Sequence, residues 1–239
     1  MTETLLRRSN LTAFLSYSEL LGTYIETLRL ANTHINLTTL KDLDTLIARF
    51  IAEPLLGWEY IRNQYNHSIE SPKTLIDVGS GGGAPGLPIA ITHPYCSTTL
   101  IESRKQKATF LEDTKMQLSL ANVKIIHDRV ERIAHGKGRE HFEVATARAL
   151  APLPVTIQLL LPLVTVGGLV AIWAGPSSHN YMAECEKSAN SAGGDKPQFI
   201  PIPWPGFNRN LVLVTTRKIR SSPPTHPHTI QKIRQEFNR

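Results

Sequence analysis

The chain has 239 residues, of which 41% are hydrophobic and 19% are charged, and its formal net charge is +6. This composition is ordinary for a soluble protein with one sizeable core. The segment Met1–Arg8 lacks the apolar run of a secretory signal, and Cys96 and Cys185 have no metal-ligand spacing. We therefore expect a cytoplasmic protein with two free thiols and no bound metal.

Residues 1–70 are predicted to form a helical N-terminal extension. Two sets of apolar residues recur there with the spacing of one helix face. They are Leu21, Tyr24, Ile25 and Leu28, and then Leu46, Ile47, Phe50 and Ile51. Both sets are expected to contact the core rather than a partner.

Residues 71–217 alternate between strand and helix patterns. The predicted strands are 74–78, 98–102, 123–126, 142–147, 169–173, 198–202 and 211–216, and the predicted helices are 86–92, 104–120, 152–162 and 179–190. This alternation predicts an α/β fold with a doubly wound, mostly parallel, seven-stranded sheet, which binds ligands beyond the C-terminal ends of its strands.

One uncharged stretch, Val155–Ala174, is long enough to span a bilayer. Pro162 and the pair Gly167-Gly168 divide it, however. We therefore expect a buried helix, a turn and the strand Leu169–Trp173 rather than a membrane segment.

A glycine-rich turn follows the first predicted strand, within the segment Leu75–Pro88. The apolar run ends at Asp77-Val78, the glycines permit the positive φ of a tight turn, and Pro85 suits the start of a helix. Together these features predict a nucleotide-cofactor site lined by backbone N–H groups. Residues 81–86 also fit the dinucleotide pattern GxGxxG, so the neighbouring residues must decide which cofactor binds.

Two carboxylates bear on that choice. Asp77 precedes the first glycine by two positions, where it would repel a pyrophosphate but suit the ammonium and sulfonium groups of S-adenosyl-L-methionine. Glu102 ends the second strand, where a carboxylate accepts hydrogen bonds from the ribose of either cofactor. We favour S-adenosyl-L-methionine over two alternatives, a dinucleotide-dependent oxidoreductase and a turn that serves packing alone.

Basic residues concentrate in two places. Residues 217–239 carry six basic side chains against one acidic residue, Glu236, in a segment predicted to be irregular. This basic tail, residues 218–239, is either a solvated terminus or an arm that contacts RNA phosphates. A second cluster opens the helix after the second strand, where it opposes the helix dipole. The candidate RNA-binding residues are Arg104, Lys105, Lys107, Lys232 and Arg234.

The glycine segment resembles the cofactor loop of the bacterial 16S ribosomal RNA guanine-N7 methyltransferases, also called glucose-inhibited division protein B. The family pattern Asp-Val-Gly-Ser/Thr-Gly-x-Gly-x-Pro-Gly-x-Pro matches residues 77–88 throughout. Further matches, in the family's order, are Asn36–Thr38, Leu100–Leu111, Arg129–Glu131, Ala145–Ala149, Leu161–Leu163 and Gly167-Gly168. The resemblance implies a Rossmann-like class I methyltransferase, expected to be monomeric. Its substrate would be a guanine N7 of 16S ribosomal RNA, as naked RNA or in the small-subunit particle.

The resemblance also implies roles for single residues. Val130 and Glu131 would contact adenine, and Arg148 would hold the methionine carboxylate, the incoming nucleotide or both. The full implied cofactor site is Asp77, Gly79, Gly81, Ala84, Glu102, Val130, Glu131 and Arg148. Guanine N7 has a lone pair and no proton, so methyl transfer to it needs positioning more than a general base. The segment Thr146–Pro152 accordingly lacks the Asn/Asp-Pro-Pro-aromatic motif of amine methyltransferases.

Several positions depart from the family pattern. Ala31 replaces a tryptophan, Ala174 replaces a lysine, and Phe50–Pro54 replaces a His-x-x-Asp-Ser motif. His226-Pro227-His228 replaces Tyr-Pro-Arg. Because these departures lie on the expected RNA side, two alternatives stay open. One is a methyltransferase for another RNA site or a small molecule, and the other is a catalytically silent RNA-binding homologue.

Overall fold

The fold is organised by a seven-stranded sheet, seen in a computed structural model that describes residues 1–65, 72–203 and 211–237. The strands are β1 (Thr74–Val78), β2 (Ser97–Glu102), β3 (Val123–His127), β4 (Phe142–Arg148), β5 (Val164–Ala174), β6 (Gln198–Ile202) and β7 (Leu211–Arg217). Their spatial order is β3-β2-β1-β4-β5-β7-β6, and β7 runs antiparallel to both of its neighbours. The predicted doubly wound, mostly parallel sheet is confirmed.

Ten helices accompany the sheet within the described ranges. They are α1 (Thr2–Arg8), α2 (Ser18–Ala31), α3 (Leu43–Ile47), α4 (Glu53–Tyr65), α5 (Gly86–Thr92), α6 (Lys105–Gln117), α7 (Val130–Ala134), α8 (Leu153–Leu160), α9 (Met182–Ala192) and α10 (Ile230–Phe237). A π-helical turn, Ala48–Ala52, joins α3 to α4. The chain reverses its direction of travel across the sheet between β1 and β4, and ligands bind at such a switch point in open α/β sheets.

The N-terminal helices share an apolar core with α5 and α6. Leu21, Tyr24, Ile25 and Leu28 of α2 are all buried, as predicted. They belong to one apolar cluster with Leu87 of α5, Leu100 of β2 and Phe110 of α6. The helices that precede β1 therefore cover part of the sheet next to the glycine turn.

Successive residues of β1 enter different cores, as the two-residue period of a strand requires. Leu75 packs with Trp58 and Ile61 of α4. Ile76 and Val78 instead join the cluster that includes α8 and α9. Asp77, between them, therefore has its side chain on the face of the sheet that carries the N-terminal helices and α5.

The uncharged stretch 155–174 is divided much as predicted. It forms most of α8, a 3₁₀ turn at Leu161–Leu163 and the strand β5. The predicted strand start at Leu169 was wrong, because β5 begins at Val164 and continues through Gly167, which has a φ of +88°. A shift of register against β4 between Phe142 and Val144 accommodates these extra residues. Within the described ranges, no helix is both long and apolar enough to cross a membrane.

The segment after β7 is more ordered than predicted. Residues 230–237 form α10, so the prediction of an irregular tail was wrong for this part. Ile233 is fully buried in the cluster that contains α8 residues, and Ile230 packs against the same cluster. Tertiary packing of two isoleucines thus stabilises a helix in an otherwise polar sequence.

Candidate functional site

The glycine turn at the end of β1 is held in place from two sides. Gly79 and Gly81 have φ angles of +70° and +53°, which side chains rarely adopt. The Gly79 N–H donates to the carbonyl of Ile101 on β2 at 2.8 Å. The Tyr24 hydroxyl of α2 donates to the carbonyl of Gly82 at 2.8 Å. Tyr24 is thus a residue of the candidate site. The sequence analysis did not identify it as one, because it belongs to an apolar helix stripe.

Asp77 is a fully buried carboxylate beneath this turn. Its Oδ1 accepts a hydrogen bond from Thr146 Oγ1 at 2.9 Å, and its Oδ2 accepts a longer one from the Gly86 N–H at 3.4 Å. Burial raises the pKa of Asp77 to about 6, against the lowering effect of these donors and of Arg148. Gly86 is required here, because a Cβ would overlap Leu100 and lie 3.0 Å from Asp77 Oδ2.

Glu102 links the turn to the end of β2. Its Oε2 accepts from the Gly81 N–H at 3.0 Å, and its Oε1 accepts from the Arg104 N–H at 2.8 Å. A carboxylate has about four acceptor sites, so it can bind a ribose hydroxyl while it keeps these two bonds. Glu102 therefore shapes the turn and also remains chemically able to hold a nucleoside.

A small cavity of about 60 Å³ lies at the ends of β1, β2 and β3. It brings together Gly79, Val130 and Glu131, three of the predicted cofactor residues, and adds Leu150 and Ile230. A Cβ at Gly79 would lie 2.6 Å from the Leu150 side chain, so a glycine keeps this space open. Ile230 had no signal in the sequence, because α10 lies in a segment that was predicted to be irregular.

Ala84 is not brought to this cavity. It is buried in the apolar cluster that holds the N-terminal helices. The two described cavities near the strand ends have other linings, so its contribution to cofactor binding stays a prediction.

A larger cavity of about 630 Å³ lies beyond the ends of β4 and β5. Arg49, Glu53 and Arg148 supply its charged groups, and Trp173 forms part of its wall. Arg148 donates to the Arg49 carbonyl, and its guanidinium carbon lies 4.7 Å from the centre of the Phe50 ring. Arg49 in turn pairs with the buried Glu53 carboxylate.

The charges around Arg148 partly offset one another. Burial lowers the pKa of Arg148, whereas the carboxylates of Glu53 and Asp77 raise it. An arginine stays protonated under these conditions, so the larger cavity contains a fixed positive charge. From the sequence, Phe50–Pro54 was noted only as a departure from the family motif. No local pattern predicts that Arg49 and Glu53 lie close to Arg148.

The predicted RNA-binding residues lie in different surroundings. Arg104 and Lys105 are exposed at the start of α6, Lys107 is half-buried, and Lys232 is exposed on α10. The side chain of Arg234 lies outside the part of the chain that the structure describes. These five residues remain candidates.

The tail is not a uniformly solvated basic arm, as one interpretation of the sequence held. Lys218 is buried and pairs with Glu140 at 2.8 Å. Arg217 donates to the carbonyl of Gly167, and Arg220 donates to Asn190. Three basic side chains at the end of β7 and the start of the tail therefore bind the protein itself, through partners in β5, in α9 and after α7.

No cluster of metal-ligating side chains occurs in the described ranges, and both cysteines are buried free thiols. The site itself presents carboxylates, guanidinium groups and backbone N–H groups. These are the groups expected at a nucleoside cofactor.

Known proteins match this chain over most of its length. The family described as rRNA small subunit methyltransferase G matches residues 17–204. Proteins named ribosomal RNA small subunit methyltransferase G from Chloroflexus aggregans and Geobacillus kaustophilus are 33% and 31% identical to this chain. The first alignment covers 87% of this chain and 84% of the relative, and the second covers 85% and 84%.

Solved structures match the fold at low sequence identity. A precorrin-6y methyltransferase from Geobacter metallireducens aligns with a TM-score of 0.52 and 10% identity, over 69% of this chain and 87% of that chain. The cofactor-bound protein Rv0187 from MTB aligns with a TM-score of 0.58 and 10% identity, over 85% and 91%. The chain belongs to the rRNA small subunit methyltransferase G family, and it is a methyltransferase that uses S-adenosyl-L-methionine.

Proposed function

We propose that this protein methylates N7 of a guanine in 16S ribosomal RNA, with the two cavities as the sites for cofactor and target base. One observation carries the proposal. The buried Asp77 carboxylate lies between the glycine turn on one side and Thr146, two residues before Arg148, on the other. It belongs to β1, whose Val78 lines the small cavity, and lies next to β4, whose Arg148 lines the larger one, and a cationic methyl donor bound across these strand ends would lie near its negative charge.

The described residues fit S-adenosyl-L-methionine. Glu102 would accept from the ribose hydroxyls, and Val130 and Glu131 would contact adenine in the small cavity. Asp77 would face the ammonium of the methionine part and keep a negative charge near the sulfonium. When bound, the cofactor supplies an electrophilic methyl group.

The larger cavity would receive the guanine. Arg148 is fixed by the Arg49 carbonyl and by Phe50, so its guanidinium is a pre-oriented donor rather than a mobile side chain. It would hold the cofactor carboxylate, the incoming nucleotide or both. Trp173 and other apolar wall residues would exclude water from the base.

Guanine N7 is already a nucleophile, so no residue must remove a proton. Orientation of the two reactants then accounts for catalysis, because fixed positioning is worth roughly 7–11 kcal/mol in well-oriented reactions. We propose that the protein acts as a monomer. The protein would work in the cytoplasm, on naked RNA or on the small-subunit particle.

The test is to map 16S ribosomal RNA modifications by mass spectrometry in cells with and without the gene. We expect one N7-methylguanosine to disappear without the gene. The purified protein should restore it with labelled S-adenosyl-L-methionine, on free RNA or on particles. Protein that binds cofactor and RNA but transfers no label would instead support a silent RNA-binding homologue.

A further inference from the structure

The segment after β7 runs back across the protein to the cofactor side of the sheet. We call residues 219–237 the C-terminal strap. It starts next to Arg217, which pairs with Leu169 in the sheet register, at the edge away from the glycine turn. It ends in α10, where Ile230 shares a cavity with Gly79 and Val130 at the opposite edge.

One arginine holds the middle of the strap. The Arg139 guanidinium donates to the carbonyls of Ser222 at 2.7 Å, Pro223 at 2.9 Å and His226 at 2.7 Å. A charged donor makes stronger hydrogen bonds than a neutral one, and the planar guanidinium fixes their directions. Arg139 thereby sets the path of the strap before it reaches α10.

Neighbouring groups add to this anchor. Glu140 accepts from the Ser222 N–H at 3.0 Å and also pairs with the buried Lys218. His135 Nε2, just after α7, lies 2.9 Å from the Pro227 carbonyl. The helix α7 also carries Val130 and Glu131, so the strap is fastened to the element that lines the small cavity.

The last part of the strap is attached by apolar packing. Ile233 is fully buried among residues of the core that contains α8. Ile230, one helical turn earlier, is half-buried, and part of its surface faces the small cavity. The strap thus presents one apolar side chain at the place where the proposed function puts the adenine of the cofactor.

We infer that the C-terminal strap is a wall of the cofactor site, with Ile230 as the residue that contacts the bound adenosine part. This inference rests on the proposed location of the cofactor. An adenine ring has apolar faces, and an isoleucine offers close packing without competition for its hydrogen-bonding edge. Docking of the strap then raises the affinity for the cofactor, and cofactor binding raises the equilibrium constant for docking of the strap by the same factor.

The experiment measures binding of S-adenosylhomocysteine by calorimetry to the full chain and to variants. We expect Ile230→Ala to weaken binding about tenfold, because less apolar surface is then buried against the adenine. Deletion of residues 230–239 should weaken it at least as much, and Arg139→Ala should act in the same direction. Ile230→Leu keeps an apolar side chain of similar size and should stay within about threefold of the natural protein.

Two controls match these variants. Gln231→Ala changes the exposed neighbour of Ile230, and Lys137→Ala removes an exposed charge two residues before Arg139. Both should bind the cofactor product normally. In the natural protein, saturating S-adenosylhomocysteine should also slow proteolytic cleavage of the strap, and this protection should be smaller in Ile230→Ala.

Three outcomes would overturn the inference. Unchanged affinity in Ile230→Ala, with a normal thermal unfolding curve, shows that the strap does not touch the cofactor. Equal losses of affinity in Ile230→Ala and Gln231→Ala show a general effect of α10. If the natural protein binds no S-adenosylhomocysteine, the result contradicts the proposed function, and the inference that the strap is a wall of the cofactor site falls with it. If the chain that lacks residues 230–239 does not fold, the point variants still test the inference.

Discussion

The hydroxyl of Tyr24 donates a 2.8 Å hydrogen bond to the carbonyl oxygen of Gly82. This bond joins a helix of the N-terminal region to the glycine turn, 58 residues later in the chain. Both groups are buried, so each would lack a partner without the other. The N-terminal helices therefore help to hold the turn of the proposed cofactor site, in addition to extending the core.

Tyr24→Phe tests this connection. The substitution leaves the Gly82 carbonyl buried without its donor, which should lower the free energy of unfolding by about 1–3 kcal/mol. The turn should also become looser and bind S-adenosylhomocysteine more weakly. Urea denaturation and calorimetry measure the two effects. Tyr95→Phe, at a tyrosine that is 54% exposed, should change neither quantity.

Asp77→Asn should stabilise the protein at neutral pH. The folded-state pKa of about 6 lies above the reference value of 3.8, so the folded carboxyl holds its proton more tightly. Stability therefore falls as the pH rises from about 4 to 6, by roughly 3 kcal/mol at about 1.4 kcal/mol for each pKa unit. Asparagine removes this penalty and still accepts from Thr146, but its amide nitrogen cannot accept from the Gly86 N–H, so the net gain should be smaller than this value.

The measurement is urea denaturation of both proteins across this pH range. The gain in Asp77→Asn should be largest at pH 8 and vanish near pH 4. A variant that is less stable than the natural protein at pH 8 would contradict the assignment of Asp77 as an anion whose burial raises its pKa.

Cofactor affinity should depend on pH through the same residue. Below about pH 6 Asp77 becomes protonated, and it would then no longer attract the ammonium that the proposed function places beside it. Binding of S-adenosylhomocysteine should therefore weaken between pH 7 and pH 5 in the natural protein. Asp77→Asn should bind weakly at both pH values, without this slope. A parallel slope in the two proteins would assign the pH dependence to another group.

Glu102→Ala should weaken S-adenosylhomocysteine binding by about 1.5–3 kcal/mol, the range for removal of a charged hydrogen bond. Part of this effect comes from the turn, because the Gly81 and Arg104 N–H groups are also left without their acceptor. Calorimetry compares it with Asp113→Ala, a carboxylate change on the exposed face of α6. Tight binding of NAD by the natural protein, without a response to S-adenosylhomocysteine, would argue for a different cofactor.

Arg148→Ala should reduce methyl transfer far more than RNA binding. Its guanidinium is held by the Arg49 carbonyl and the Phe50 ring, and displacement of a reacting group by about 1 Å can cost on the order of a hundredfold in rate. Arg148→Lys should not restore the rate, because an ammonium lacks the planar fork. Single-turnover transfer and RNA binding are compared with those of Arg29→Ala, an exposed control. Equal reductions of binding and rate would mean that Arg148 binds the RNA.

Binding of RNA phosphates should show in the salt dependence of RNA affinity. The double variant Arg104→Ala and Lys105→Ala should lower the log–log salt slope by about 0.7–0.9 for each phosphate that is no longer neutralised. Lys196→Ala, a 70% exposed lysine near the opposite edge of the sheet, should leave the slope unchanged. Identical slopes in all three proteins would mean that RNA phosphates contact a different surface. Lys232 would then be the next residue to test.

The positions of the strands were largely predictable from the sequence, because short apolar runs end there at glycine, proline or charged residues. β5 was predicted too short because the Gly167-Gly168 pair resembles a turn, whereas backbone hydrogen bonds between these glycines and Lys218, just after β7, keep them in the strand. The helix α10 was missed because packing of Ile233 against distant residues stabilises it, and no local periodicity shows such packing.

The site was partly predictable for a related reason. Asp77 and Glu102 lie at the ends of apolar strands, so their position at this edge of the sheet can be inferred from sequence spacing. Arg49 is 99 residues from Arg148, and their hydrogen bond depends on how a helix packs over the sheet. Tertiary packing of this kind leaves no periodic pattern in the chain.

The π turn at Ala48–Ala52 implies a constraint on chain length. It lies between α3, whose Leu46 packs in one core, and α4, whose Trp58 packs in another. Removal of a single residue here would rotate α4 by about 100° relative to α3, because an α-helix has about 3.6 residues per turn. Trp58 would then turn away from the sheet. Over this stretch, the number of residues matters more to the site than the identity of most of them, so deletions should be far rarer among relatives than substitutions.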